Sequence, residues 1–220
     1  MMLKPSFRPL TAAEQRLLDA KIRDLESRLG RGPKALMPGV VIVVILWVLT
    51  LVVSEASWLT VTSFWIVVGA GILLWVRHDL KKDLGNLRDV LAGHVSARQR
   101  NEAEVFQIKA TCFADFEEVE DEGACYAFEI DGGRLVFVVG QQFYPEAKFP
   151  SHDFSLVHIL NERGEPVDGI IEKRGPQVPA ARTIPAVTKL KLEIPEHLEV
   201  LDGKLSQIED LLGSTPWRAA

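Results

Sequence analysis

The 220-residue chain carries 25 Lys and Arg against 30 Asp and Glu, a net charge of −5, and 47% of it is hydrophobic. That length leaves room for one ordinary domain beside any membrane segment. The charge argues against nucleic acid as a partner, because that needs clustered Lys and Arg to displace counterions from phosphate.

The first 34 residues predict a cytoplasmic amphipathic helix. Thr11 with Glu14 three residues later forms a capping box, and Leu18, Ile22, Leu25 and Leu29 follow at alternating four and three spacing before Gly30 stops the helix. Two uncharged apolar runs come next, Ala35 to Val53 and Ser57 to Val76, with only Ser54, Glu55 and Ala56 between them. At about 1.5 Å per residue the first run reaches roughly 28 Å, close to the roughly 30 Å hydrocarbon core of a bilayer. It holds thirteen Val, Ile or Leu residues. At about −0.3 to −0.6 kcal/mol each, these favour insertion by roughly 4 to 8 kcal/mol. Residues 35–76 therefore read as a transmembrane helical hairpin with the lipid bilayer as its solvent. Thr60, Thr62, Ser63, Gly69 and Gly71 soften the second run, and Ser63, Val67, Ala70 and Gly71 recur as a seam open to another helix.

Cations set the expected orientation. Lys21, Arg23, Arg28, Arg31 and Lys34 precede the first run, Arg77, Lys81, Lys82 and Arg88 follow the second, and the connection holds none. Both termini are thus expected in the cytoplasm, as in an integral protein of a bacterial inner membrane. A cleavable leader ending at Ser54 and Ala56 fits less well, since 34 residues precede the apolar run and a second run follows at once. Residues 77–103 continue as a juxtamembrane helix with Leu80, Leu84, Leu87, Leu91 and His94 on one stripe. That stripe pairs either with the first helix of the same chain or with a second copy, as a coiled coil within a homo-oligomer.

From Glu104 the period changes to two. Phe106, Ile108, Ala110 and Cys112 alternate with polar residues, and Ala124 to Ile130 and Arg134 to Val139 flank an Asp131-Gly132-Gly133 turn. Further strands are expected over Phe154 to Leu160, Val167 to Lys173 and Val187 to Ile194. Pro195 then opens a last helix with Leu198, Leu201, Leu205, Ile208 and Leu212 on its stripe, ended by Gly213. Residues 104–213 thus read as an α+β soluble domain: a small, mostly antiparallel β barrel or sandwich with a C-terminal helix, followed by a tail over 214–220. The domain is acidic, because residues 1–100 carry 14 Lys and Arg against 8 Asp and Glu whereas residues 101–220 carry 11 against 22. Strands followed by a helix, tethered to a membrane hairpin, are similar in outline to bacterial membrane proteins bearing pleckstrin-homology-like domains. That resemblance is one of element order alone.

Motifs that name a reaction are missing. The chain contains no Walker-type phosphate loop, dinucleotide fingerprint, His-Glu-x-x-His, nucleophile elbow or Cys-x-x-Cys. No catalytic residue, metal ligand or cofactor is therefore assigned. Cys112, Cys125, His152 and His158 match no familiar zinc spacing, and Cys112 reads as a packed thiol sharing a strand face with Phe106 and Ile108. The acidic run Asp115, Glu117, Glu118, Glu120, Asp121 and Glu122 reads as a solvated connection between strands, since it lacks the ordered spacing of a calcium loop. The candidate binding residues lie in the aromatic loop after the hairpin: Gln141, Gln142, Phe143, Tyr144, Phe149 and His152. Rings interleaved with amides on a rigid scaffold suit a peptide or small ligand, unless the rings fold back to close the barrel end. The expected function is that of a membrane-anchored scaffold or regulator whose β domain binds a protein partner. A sensor coupling ligand or metal occupancy to the hairpin is the alternative.

Overall fold

The computed structural model describes residues 1–31, 36–53, 57–146 and 148–213. The chain divides into two compact units: Leu10–Asn101 with Leu160–Val167 is helical, and Met1–Pro9 joins Glu102–Ile159 and the chain from Asp168 in a β unit.

The helical unit contains α1 (Ala12–Arg31), α2 (Leu36–Val53) and α3 (Trp58–Arg100). The capping box forms: the Thr11 N–H donates to Glu14 Oε2 at 2.6 Å and the Glu14 N–H to Thr11 Oγ1 at 3.3 Å. Helix α1 passes Gly30 and ends at Arg31. It lies antiparallel to the distal part of α3, where Arg98 pairs with Asp19 at 2.9 Å and Gln15 donates to Asn101 Oδ1 at 2.9 Å. Leu18 and Ala97 are fully buried. Helix α1 thus packs on α3 within the chain. Helix α3 runs unbroken through Gly85 and stops where Asn101 turns left-handed at φ 55°.

Among the described residues α3 alone is long and apolar enough to cross a membrane, and the apolar stretch of α2, Gly39–Val53, is shorter. Ala35 and the connection Ser54, Glu55 and Ala56 lie outside the described residues. Where α2 meets α3, the indole N–H of Trp47 donates to Thr62 Oγ1 at 3.4 Å and that of Trp65 to Thr50 Oγ1 at 3.1 Å. A Cβ on Gly69 would stand 3.1 Å from Val43 Cγ1. The contact stripe therefore contains Thr62, Trp65 and Gly69. Ser63, Val67, Ala70 and Gly71 lie exposed, outside the contact with α2.

The β unit is one open sheet of eight strands in the order β6-β5-β2-β3-β4-β8, with β1 and β7 also pairing with β2. Its strands are β1 (Ser6–Pro9), β2 (Glu102–Phe116), β3 (Ala124–Ile130), β4 (Arg134–Gly140), β5 (Asp153–Leu160), β6 (Pro166–Arg174), β7 (Arg182–Ile184) and β8 (Val200–Asp202). The β1–β2, β2–β3, β2–β5, β3–β4 and β4–β8 ladders are antiparallel, and β7 lies parallel to β2. The expected barrel does not close, and among the described residues no second sheet makes it a sandwich: β6 and β8 are the ends of the order. Loop aromatics and short helices bury the sheet faces instead.

β2 is the spine. One edge pairs first with β1 and then with β3, and the other first with β5 and then with β7. Between Ala110, opposite Ile130, and Cys112, opposite Glu129, Thr111 is an extra residue, a β-bulge. The bulge shifts the alternation. Phe106, Ile108 and Phe113 belong to the first core cluster, with Tyr126, Phe128, Val136, Val138, Phe154 and Leu156. Ala114 and Phe116 belong to the second, with Cys125, Ala127, Leu135 and Phe137, and Cys112 packs against it. Cys112 thus does not share a face with Phe106 and Ile108 as period-two counting predicts.

Two C-terminal expectations are also corrected. Residues 187–194 form no strand: α4 (Ala186–Lys189) and successive turns replace it. The Ala186 N–H donates to Glu117 Oε2 at 3.0 Å, and Lys189, not a neighbouring aliphatic, is the buried residue. The long helix from Pro195 is absent too, and the helical segments there are a 3₁₀ turn over Leu205–Gln207 and α5 (Ile208–Gly213). Leu198 sits at φ 63° and Val200–Asp202 adds to the edge of β4, so Leu198 and Val200 enter the first cluster while Leu205, Ile208 and Leu212 enter the second. A single helical stripe cannot reach both faces of a sheet.

Candidate binding cleft

The six residues expected to bind separate into four groups. Phe149 is fully buried, edge-on to Tyr126 and Phe154, and Phe143 is nearly so, which makes both part of the first core cluster. Gln141 and Tyr144 brace the acidic loop between β2 and β3: Gln141 Nε2 donates to the Asp121 carbonyl at 2.9 Å, and the Tyr144 hydroxyl donates to Glu118 Oε1. The bonds from Tyr144 and from the Gly123 N–H hold the Glu118 carboxyl below its usual range, and the same Tyr144–Glu118 bond pushes the phenol up. His152 is exposed and does not line the cleft described below. Only Gln142 and the rim of Phe143 face that cleft.

The acidic run is more tied down than a solvated connection needs. Glu118 accepts from Gly123 at 2.9 Å, Glu122 accepts from the Val119 N–H at 3.0 Å and pairs with buried Lys189, and Glu117 caps α4. Gly123, at φ +90°, is required here, because a Cβ would lie 2.4 Å from Gln141 N. This packing sets the start of the loop that walls the cleft.

The cleft has a volume of about 590 Å³. That lies within the range of roughly 300 to 1,000 Å³ usual for ligand pockets. Leu156 and His158 come from β5, Asp168, Gly169, Ile170, Ile171 and Lys173 from β6, and Gln142, Phe143 and Glu146 from the loop. Lys173 Nζ pairs with Glu146 at 2.6 Å, joining β6 to the loop. His158 Nδ1 lies 3.5 Å from Glu104 Oε2, and its ring meets Phe106 edge-on at 5.4 Å. Leu156, Ile171 and Phe143 supply apolar surface, and Glu146, Asp168 and Lys173 supply charge.

Behind the wall, His197 stacks on Phe143 with ring centroids 5.0 Å apart. Its Nδ1 accepts from the Val139 N–H at 3.2 Å, and its Nε2 is buried without a hydrogen-bond partner among the described residues. Burial, with His158 as a second cause, lowers its pKa to about 4. A neutral ring with the proton on Nε2 is the state that keeps the Val139 bond.

Sequence reasoning placed β6 as a strand but named neither its residues nor His197 as part of a site. His158 drew notice only as a remote zinc donor. Gly169 and Ile171 read as an ordinary strand, and no local signal joins that strand to Phe143. Among the described residues no three of His, Cys, Asp and Glu come together as metal ligands. Cys125 is fully buried, with its thiol pushed up to about 12 by burial. No protein-family model matches this chain, and neither a curated protein nor a solved structure matches it.

Proposed function

We propose that this chain is a two-span membrane protein that holds its acidic β domain on the cytoplasmic side, where the domain binds a protein partner as a scaffold or regulator. Outward-facing aliphatics on both apolar helices support the anchor: Val52, Val53, Ile66, Val67 and Leu74 are all strongly exposed, a surface that suits lipid and not water. Cations at the ends of the apolar stretches support the cytoplasmic placement. The observation that carries the binding role is the cleft beside β6, lined by Leu156, Ile171 and Phe143 and rimmed by charge.

Photo-crosslinking tests it. The full-length protein carries a benzophenone amino acid at Gln142 and is irradiated in its own membranes. One recurrent protein adduct, absent when the probe is moved to exposed His152, is the expected result. No adduct from Gln142, or an identical set from both positions, overturns the reading.

A further inference from the structure

The two ends of the sheet are unequal. β8 is three residues long, whereas β6 runs for nine and pairs with β5 alone among the described residues. Sheets guard such edges with short strands, prolines, bulges or charges. Here the only proline of β6 is its first residue, Pro166, where it interrupts nothing, and its charges are engaged by neighbours: Lys173 by Glu146, Glu172 by Arg8 and Arg174, and Arg174 by Asp153 as well. Half of the N–H and C=O groups of β6 point away from β5.

The middle of β6 also lacks a side chain. A Cβ placed on Gly169 would meet only His158 Cδ2, at 4.0 Å, so close packing does not demand glycine there. Its effect is to leave the cleft open between Leu156, Ile171 and Phe143. Charge completes the description of the occupant. Glu146 and Asp168 line the cleft with Lys173, which pairs with Glu146; Glu104 stands beside His158, and Arg8 and Arg174 pair with Glu172 further along β6, in a half-chain with 22 acidic and 11 basic residues.

We propose that β6 accepts an extended basic segment of the partner as an added strand, with an apolar side chain entering the cleft over Gly169 and cations meeting its acidic rim. Backbone bonds along the edge hold the segment, and the cleft selects its side chains. This rests on the partner-binding reading above.

The test uses the full-length protein in lipid nanodiscs and four short fluorescent peptides. One alternates lysine and valine, a second alternates glutamate and valine, and two repeat the lysine–valine sequence with every valine or every lysine N-methylated. Methylation of one set removes the donors of one peptide edge. The basic peptide is expected to bind at least tenfold tighter than the acidic one, with at least a tenfold loss for one methylated form. Gly169→Leu, which fills the cleft at a position with room for a side chain, is expected to weaken the basic peptide by at least tenfold while thermal unfolding is retained. Equal binding of basic and acidic peptides, no loss with either methylated form, or no binding at millimolar peptide overturns the added strand. Crosslinking from Gln142 reports separately. An adduct without peptide binding removes the added strand and keeps the partner role, and peptide binding without an adduct does the reverse.

Discussion

His197 shows how one side chain ties the core to the cleft. The Val139 N–H needs an acceptor, the only one on offer is Nδ1, and protonation would turn that acceptor into a donor. Burial sets the folded-state pKa at about 4, below the ordinary 6.5. As pH falls from 6.5 toward 4, the unfolded chain takes up a proton that the folded ring refuses, so this group's contribution is fully present above 6.5 and is lost on acidification. Discounted for partial exposure, the loss is about 2 kcal/mol. Thermal unfolding at pH 7 and pH 4.5 is expected to show a larger drop for the natural chain than for His197→Asn. Equal drops would remove His197 as the source. The residues forecast to bind were legible only as a composition of rings and amides. Whether Phe149 turns inward or outward is settled by Tyr126 and Phe154, which come from other strands, and nothing near Phe149 in the chain records that.

At the scale of elements, the bulge at Thr111 governs which aromatics reach which core. Deleting Thr111 leaves Ala110 and Cys112 in regular alternation, so every later residue of β2 keeps its face. Inserting one alanine between Phe113 and Ala114 sends Ala114 and Phe116 to the wrong side. Burying a phenylalanine is worth roughly 1.5 to 3 kcal/mol, a large share of a total near 5 to 15. The deletion is expected to cost at most about 2 kcal/mol and the insertion to abolish cooperative unfolding, both read by urea denaturation. An insertion tolerated as well as the deletion would show that the face assignment does not stabilise the sheet. Helix α1, the β3–β4 hairpin and the β5–β6 pair were legible, because capping boxes, Asp-Gly turns and periodicity are local signals. The stretch 187–213 was not. Its leucines repeat at helical spacing but divide between two faces of a sheet, and the deciding groups are Glu117, Glu122 and the open edge of β4.

For the whole molecule, the anchor makes firm demands. If both apolar helices span, the protein stays with the membrane pellet through an alkaline carbonate wash, and an alkaline phosphatase fused after Gly213 is inactive while a fluorescent protein there is bright. An active phosphatase would reverse the orientation, and release by carbonate would remove the anchor. Length, apolar runs and the distribution of Lys and Arg by themselves carry the proposal of an anchor, and the sequence alone determined the acidic character of the β domain and most of its strands. These are properties of neighbouring residues and of bulk composition, and a bilayer or a ladder reads them directly. Only the tertiary structure decided that the sheet stays open, that a bulge exchanges its faces, and that β6, His158 and the loop after β4 enclose one cleft. Each of those depends on contacts between residues far apart in the chain, whose free energy exists only once the sheet has formed.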